Sequence, residues 1–433
     1  MSNANAIPAS NAPAAATPIH PRVAERFDLG IKFALAERIV HNAVSDVVVF
    51  EYLSHIYKWN GFSEHGSDKQ GAQTFLETFS SIVSALHDSK RYVLPPIPVS
   101  SSGAIQNGAH RLAASLATGI TPEFELMQGQ NYRWDYRYFQ QFSSPRGAFG
   151  RTTLLKMLFR NLSMWRDLYR FAIVFPGACL RDGGEAAMRA IGQQGTVLWD
   201  ESFTCPLFFL KFLLLNCYPG EDWLALGRGA GGLQNKLLQV AASGRDGQPL
   251  RVIAFLPDKG VNVSALKADI RQHYGMAHSA LHISDGECDT SSVAMAYCST
   301  ISDITPLENL DYDAPTLRAL AGIGRDLPGL ISHRERCLLV GSAVLELFGG
   351  RRANDLDWLG RGLPVGGDRL ASHNDYIFLY ESPLDQMLDG LEGKYFVFGV
   401  PLLSPARVLR FKDVRSEAKD HKDLARFRQA ASG

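Results

Sequence analysis

The sequence predicts a multidomain α+β protein, and three observations lead there. At 433 residues the chain is too long for one ordinary hydrophobic core. An apolar fraction of 46% with 20% charged residues is the balance of a globular protein. Segments of helical period alternate with short, wholly apolar runs that read as buried strands. Formal net charge is zero, so no global basic field exists to hold nucleic acid, which is an unlikely partner. Six cysteines (Cys179, Cys205, Cys217, Cys288, Cys298, Cys337) are scattered without a Cys-x-x-Cys pair. That is neither a zinc framework nor a disulfide scaffold, and it suits a reducing, cytoplasmic setting. The most apolar run, Phe203 to Cys217, is broken by Pro206 and Lys211 and is too short to span a bilayer. It predicts a buried helix and no transmembrane segment.

Punctuation divides the chain. Residues 1–20 are rich in Ala, Pro, Asn and Ser, without a basic start or apolar centre, and predict a disordered tail rather than a signal peptide. A first block spans 21–141, and Phe142-Ser-Ser-Pro-Arg-Gly-Ala-Phe-Gly150 reads as a linker. A mixed α/β middle block spans 151–310 and a C-terminal block 313–433.

In the first block, the runs Glu51 to Asn60 and Gln73 to Leu86 carry apolar residues at helical spacing. His55 in the former reads as a packed or surface histidine. Val93-Leu-Pro-Pro-Ile-Pro-Val-Ser100 is an extended segment stiffened by proline, followed by a turn and a short strand at Ala104-Ile105. Asn107-Gly108-Ala109-His110-Arg111 then leads into a helix, Leu112 to Ala117, closed by Thr118-Gly119. His110 and Arg111 fall in a first helical turn, where backbone donors and a guanidinium can converge on a phosphate, and Gly108 lets the backbone approach it. The alternative is a plain helix cap. This run resembles the Gly-x-His-Arg element of the ParB/sulfiredoxin superfamily, from the proline-rich strand to Glu125. The resemblance implies nucleotide or phosphate binding through Gly108, His110 and Arg111. Asn107 stands where many members carry an acid, which puts a metal or base role there in doubt. The aromatic–arginine run Tyr132 to Phe139 could stack on bases, but without a basic surround it reads as a buried edge.

The middle block offers a buried strand, Arg251 to Leu256, and an amphipathic helix, Asn262 to Tyr274, with a Val263-Ser264 capping start. His278, His282 and Asp285 could line a polar cleft, though their spacing fits no standard zinc pattern. Gly227-Arg-Gly-Ala-Gly-Gly232 lacks the preceding strand and the Lys-Ser/Thr of a phosphate loop.

The C-terminal block opens with a helix, Pro315 to Gly322. Cys337 to Val340 predicts a buried strand, Gly341-Ser342 a turn into a short helix, and Asp355-Leu-Asp357 a second strand. Period 2 puts both aspartates on one face and Leu356 in the core. Two adjacent carboxylates repel unless a cation lies between them, and a divalent metal carrying phosphates is a common partner. The alternative is a pair lining a solvated edge strand. The hydrophobic strand, Gly-Ser and Asp-x-Asp roughly a dozen residues on resemble the nucleotidyltransferase fold. Downstream, Arg407, Arg410, Lys412 and Arg415 precede Lys419-Asp420-His-Lys-Asp423-Leu424, similar to the tail that closes the nucleotide cleft in small members of that fold. The resemblance implies Asp355 and Asp357 as catalytic ligands of Mg²⁺, with Gly341, Ser342, Lys412 and Lys419 on the nucleotide. It also implies a third carboxylate on a later strand. Asp375 and Glu381, in the strand expected at Asp375 to Glu381, are the nearby candidates. The order of the three blocks further resembles uncharacterised proteins of bacterial surface-polysaccharide loci.

These expectations combine into an ATP- or CTP- and Mg²⁺-dependent phosphotransferase or nucleotidyltransferase acting on a small molecule, a sugar or polyol derivative. The rivals are a ParB-like nucleic-acid-binding or regulatory protein with a degenerate transferase domain, and a nucleotide sensor without catalysis.

Overall fold

The computed structural model describes residues 22–63, 70–88, 93–129, 131–165, 168–245, 247–325, 337–360 and 370–432. The tail expected at 1–20 lies outside them. The chain is mixed α+β, with one sheet in each of the three sequence blocks.

The first block packs helices α1 (Leu29–Val40), α2 (Asp46–Asn60) and α3 (Ala72–Asp88) around a βαβ unit. In that unit β1 (Ile97–Val99) pairs in parallel with β2 (Phe124–Leu126), and α4 (Ala109–Thr118) connects them. The strand expected at Ala104-Ile105 reduces to a single bridge from Ile105 to Val99. The aromatic run ends in a short helix, α5 (Tyr136–Gln141), started by Asp135, whose carboxylate accepts the Tyr138 N–H. Trp134 and Trp59 sit 5.1 Å apart beneath the guanidinium of Arg26. The segment read as a linker is fastened down by Phe142 and Phe149, whose rings lie 5.5 Å apart, with Phe149 buried.

Next come α6 (Arg151–Met164), β3 (Arg170–Val174), α7 (Pro176–Asp182), α8 (Glu185–Gln193), β4 (Gly195–Pro206) and α9 (Leu207–Cys217). They are followed by α10 (Gly231–Val240), β5 (Gly247–Pro257), α11 (Val263–Tyr274), β6 (Leu281–Ile283) and α12 (Glu287–Cys298). The four strands form an antiparallel sheet in the order β4-β5-β3-β6. Both faces of the central strands are covered, so Phe171 to Val174 of β3 and the stretch Val252 to Phe255 of β5 are apolar and buried. On β3, Phe171 and Ile173 join the main core while Ala172 and Val174 join a second cluster under α8 and α11. The apolar run expected to be helical from Phe203 is split. Phe203 to Pro206 finish β4, and the helix begins at Leu207 because Pro206, without an N–H, suits a helix entry. Asn262 caps α11 by accepting the Ala265 N–H at 3.1 Å.

The C-terminal block contributes α13 (Pro315–Arg325), β7 (Cys337–Val340), α14 (Gly341–Leu347), β8 (Leu356–Gly360) and β9 (Leu370–Ser372). α15 (Leu384–Asp389), β10 (Lys394–Val397), β11 (Val400–Leu403), α16 (Pro405–Arg415) and α17 (Ala418–Ser432) complete it. Its sheet runs β10-β11-β7-β8-β9. The strand expected at Asp375 to Glu381 is instead a 3-10 helix, Asn374–Leu379, entered directly from β9.

One hydrophobic core runs through all three blocks, from Phe27 through Leu213 to Phe411. Polar ties reinforce it. Buried Asp389 accepts from Arg38 Nη2 and from Ser45 Oγ, both at 2.6 Å. Arg160 reaches the Asp389 carbonyl at 2.8 Å while its Nε donates to Glu51 at 2.9 Å. Fully buried Asn216 accepts the Phe398 N–H in the β10–β11 turn at 2.7 Å. Among the described residues, no helix is long and apolar enough to cross a membrane.

Asp389→Ala should lower stability by about 3 kcal/mol, because it strips a buried arginine of a counter-ion across the block junction. Urea denaturation of the full chain measures it; a loss under about 0.5 kcal/mol would assign the junction to apolar packing alone.

Candidate active site

The register of the C-terminal sheet sets Val340 opposite Asp357 on antiparallel β7 and β8. The chain then leaves β7 through Gly341 at φ +70°, a conformation that L side chains rarely adopt. A Cβ on Gly341 would lie 2.1 Å from Asp357 Oδ2, so this position must be glycine for the aspartate to stand where it does. Leu356 and Trp358 are buried while Asp355 and Asp357 share the open face, as the alternation in the sequence requires. The loop before β8 is held by Glu346, whose carboxylate accepts from Thr316 Oγ1 at 2.7 Å and from the Ala353 N–H at 3.0 Å.

These residues open onto a polar cleft of about 330 Å³. Gly341, Ser342, Asp355 and Asp357 line it together with Arg351 and Asn354. Ala371, Ser372, His373, Tyr376 and Phe411 line it too, with Lys412, Arg415 and Lys419 from α16 and α17. The sequence reading therefore placed Gly341, Ser342, Asp355, Asp357, Lys412 and Lys419 in one site, and the chain brings them together. Burial, reinforced by the neighbouring charge of Asp355, pushes the Asp357 carboxyl up to about 6, and Lys412, Arg415 and Lys419 only partly offset this.

The cations are not equally available. Lys412 is 2% exposed and its ammonium lies 3.0 Å from Asp420 and 2.8 Å from Asp423. Arg415 donates twice to Asp420, at 2.8 and 2.7 Å, and Arg351 donates to Asp423 at 2.7 Å. Burial raises the Asp420 carboxyl, yet bonds from Arg415 and Lys412 outweigh it and hold the group at about 2. Lys412, expected to meet the nucleotide as a mobile cation, is thus a buried strut. Asp420 and Asp423 are what give the Lys-Asp-x-x-Asp segment its role. Lys419, at the rim, pairs with Glu417 at 3.1 Å and is more than half exposed.

Neither expected third carboxylate lines the cleft. Glu381 pairs with Arg410 at 2.8 Å on the surface, and Asp375 is exposed on the 3-10 helix. Beside Asp357 in the register stands Ala371, and two residues further along the same face comes His373. His373 is buried and its Nδ1 lies 3.0 Å from the Tyr380 hydroxyl. Burial first, then Arg415 and Lys412, press its pKa down to about 4, so the ring is neutral at pH 7. Sequence reasoning missed it because it sought an acid there.

The first-block motif is placed elsewhere and does other work. Arg111 Nη1 donates to the carbonyls of Pro95 and Pro96 at 2.8 and 2.9 Å, and the guanidinium packs over Gly108. His110 Nε2 lies 3.0 Å from the Tyr52 hydroxyl, and the ring packs edge-on against Phe79. Neither residue lines the Asp355–Asp357 cleft. His55 is wholly buried, 3.8 Å from Asp28, and burial followed by the charge of Lys32 lowers its pKa to about 4.

In the middle block His278, His282 and Asp285 diverge. His282 pairs with Asp289 at 3.2 Å, which sequence reading did not assign, and Asp285 pairs with Lys267. Gly227-Arg-Gly-Ala-Gly-Gly232 docks the C-terminal block instead of a phosphate. Arg318 packs on Gly227, and the Gly229 N–H donates to Asp313 at 2.9 Å. Among the described residues no set of three His, Cys, Asp or Glu side chains could hold a metal ion unaided.

No protein-family model, curated protein or solved structure matches the chain.

Two predictions follow from these placements. Asp357 binds its proton more readily folded than unfolded, so folding carries no penalty from it below about pH 4, where both states are protonated. The penalty builds as pH rises towards 6 and is complete above it. Asp357→Asn should therefore stabilise the chain at pH 8 by on the order of 1 kcal/mol, after allowance for solvent screening, and leave it unchanged at pH 4. Chemical denaturation at the two pH values checks this; destabilisation at pH 8 would make Asp357 a structural hydrogen-bonding group. Arg111→Ala should cost about 1–3 kcal/mol, since two carbonyls of the proline segment lose their donor. A variant that melts with the wild type would return Arg111 to the list of ligand-binding residues.

Proposed function

We propose that this protein is a nucleotide- and Mg²⁺-dependent nucleotidyltransferase or phosphotransferase acting on a small molecule, a sugar or polyol derivative. The observation that carries this reading is one polar cleft lined by Gly341, Ser342, Asp355 and Asp357, with the Gly341 backbone set against the Asp357 carboxylate. The donor set fits Mg²⁺. That ion keeps several waters and takes one or two carboxylates plus substrate phosphates, so a site of two aspartates is enough. Burial, then the charge of Asp355, raises the Asp357 pKa, and a cation bound between the two would favour its ionised form. Asp355 and Asp357 would hold it, and when bound it would neutralise charge on the phosphate oxygens.

The chain's own groups divide the remaining work. Ser342, lining the cleft next to Gly341, can donate its hydroxyl to a phosphate oxygen. Arg351, Arg415 and Lys419 place positive charge around the opening, and Asp420 and Asp423 fix where the first two stand. Neutral His373 can hold one hydrogen bond at a stated orientation, because its Nδ1 is engaged with Tyr380.

A second reading is a nucleotide sensor without turnover. It is favoured by one observation: His373, which follows β9 and lines the same cleft, stands where a third carboxylate was expected.

Calorimetric titration of the full chain with ATP, CTP, GTP and UTP should show binding that strengthens with Mg²⁺. Asp355→Asn and Asp357→Asn should each abolish the Mg²⁺ dependence. No heat with any triphosphate at millimolar concentration overturns both readings. Binding without release of pyrophosphate or nucleoside diphosphate, across a panel of sugars and polyols, selects the sensor.

A further inference from the structure

The cleft is lined by groups of two kinds. Ser342, Asp355 and Asp357 are polar; His373, Tyr376 and Phe411 are rings. Tyr380 stacks on Phe411 at 4.4 Å with an interplanar angle of 14°, and His373 meets Phe411 edge-on at 5.0 Å. These three rings are buried against one another, with Phe411 2% and His373 5% exposed. They offer an incoming ligand almost no surface. Tyr376 is different. It lines the same cleft and is 38% exposed, while one part of its ring is packed against His373 at 4.8 Å and the Arg415 guanidinium lies 5.7 Å from its centroid. Arg415 cannot swing away freely, because it is tied to Asp420 by two hydrogen bonds. The Tyr376 backbone N–H is bonded to the His373 carbonyl at 3.1 Å, which anchors the residue to the end of β9.

We propose that Tyr376 is the platform on which the base of the bound nucleotide stacks, and that it supplies affinity for the nucleoside part of the ligand. The inference rests on the nucleotide reading of this cleft and adds the part of the ligand that reading leaves unassigned. Phosphates belong with Ser342, the paired aspartates and the rim cations. A flat aromatic base stacks on a ring face, and the aromatic residue among the cleft-lining ones that is more than a third exposed is Tyr376. A held aromatic ring loses little freedom when a base settles on it, and a neighbouring guanidinium adds to stacking. Every base has a π face, so a site that grips by stacking discriminates weakly among the four.

The test compares a nucleoside triphosphate with inorganic tripolyphosphate, each titrated with Mg²⁺ into the full chain and into Tyr376→Ala, Tyr376→Leu and Tyr376→Phe. Stacking predicts that wild type binds ATP more tightly than tripolyphosphate. Alanine and leucine should weaken ATP binding about tenfold and leave tripolyphosphate unchanged, and phenylalanine should restore ATP binding. Leucine keeps most of the volume, so it stands in if alanine impairs folding in a thermal melt. Equal wild-type affinity for the two ligands, or equal weakening of both by leucine, overturns the platform and leaves the phosphate site standing. Wild-type failure to bind either ligand overturns the nucleotide reading together with the platform.

Discussion

The contact between the Gly341 backbone and the Asp357 carboxylate is the constraint on which the site depends. Strand register brings Val340 opposite Asp357, and the turn that follows must pass over that side chain. Only a residue without a Cβ can do so, and only with a positive φ. The consequence reaches beyond sterics. With backbone above and Asp355 beside it, Asp357 is poorly hydrated and close to a like charge, so its ionised form is held at a cost in stability. A carboxylate pair kept under such strain in an open cleft is poised for a cation. The same geometry that lowers the stability of the empty chain would raise its affinity for a charged ligand.

That arrangement would drift without a rigid frame, and the frame is ionic. Lys412, Arg415 and Arg351 converge on Asp420 and Asp423, joining α16, α17 and the loop before β8 into one unit. Buried pairs of this kind add little net stability, because desolvation offsets most of the attraction. Their geometric effect is larger: each member is held by several bonds, and breaking one leaves a buried charge. A second device of the same sort, Arg38 and Arg160 around Asp389, fastens the first and middle blocks to helix α15 of the C-terminal block. The cleft itself is set by charges 72 residues apart in the chain, Arg351 and Asp423, as well as by its own strands.

This explains which features were legible in the sequence. Alternation in Asp355-Leu356-Asp357 is a local signal, decided within a few residues, and the chain follows it, whereas the capping start read at Val263-Ser264 falls one residue earlier, on Asn262. Pro206 was equally local, but its effect was to divide an apolar run that hydrophobicity alone treats as continuous. The pairing of Arg38 with Asp389 leaves no local pattern at all. Arg111 illustrates a subtler ambiguity. A guanidinium in a first helical turn suits a phosphate, but it also suits any nearby carbonyl, and the proline segment presents two. Prolines remove N–H donors and leave the oxygens, so a run such as Pro95-Pro96 creates demand for a side-chain donor. His373 was invisible for a different reason: its importance comes from β9 lying beside β8, a register that the sequence does not spell.

The place of His373 also bears on what the cleft can do. A carboxylate there would add a third negative charge beside a pair already short of positive charge. A neutral imidazole adds a hydrogen-bonding group without that repulsion. Its ring is fixed by Tyr380, which is in turn stacked on Phe411, on the same helix as Lys412 and Arg415. The aromatic cluster and the ionic cluster therefore share α16 and cannot shift independently. A ligand that engaged both the aspartates and the exposed part of Tyr376 would bridge β8 and the 3-10 helix Asn374–Leu379, and would draw its affinity from two surfaces whose separation the fold has already fixed. Such preorganisation reduces the entropy lost on binding, which suits a nucleotide: a rigid base at one end, phosphates at the other, and a sugar of constant length between them.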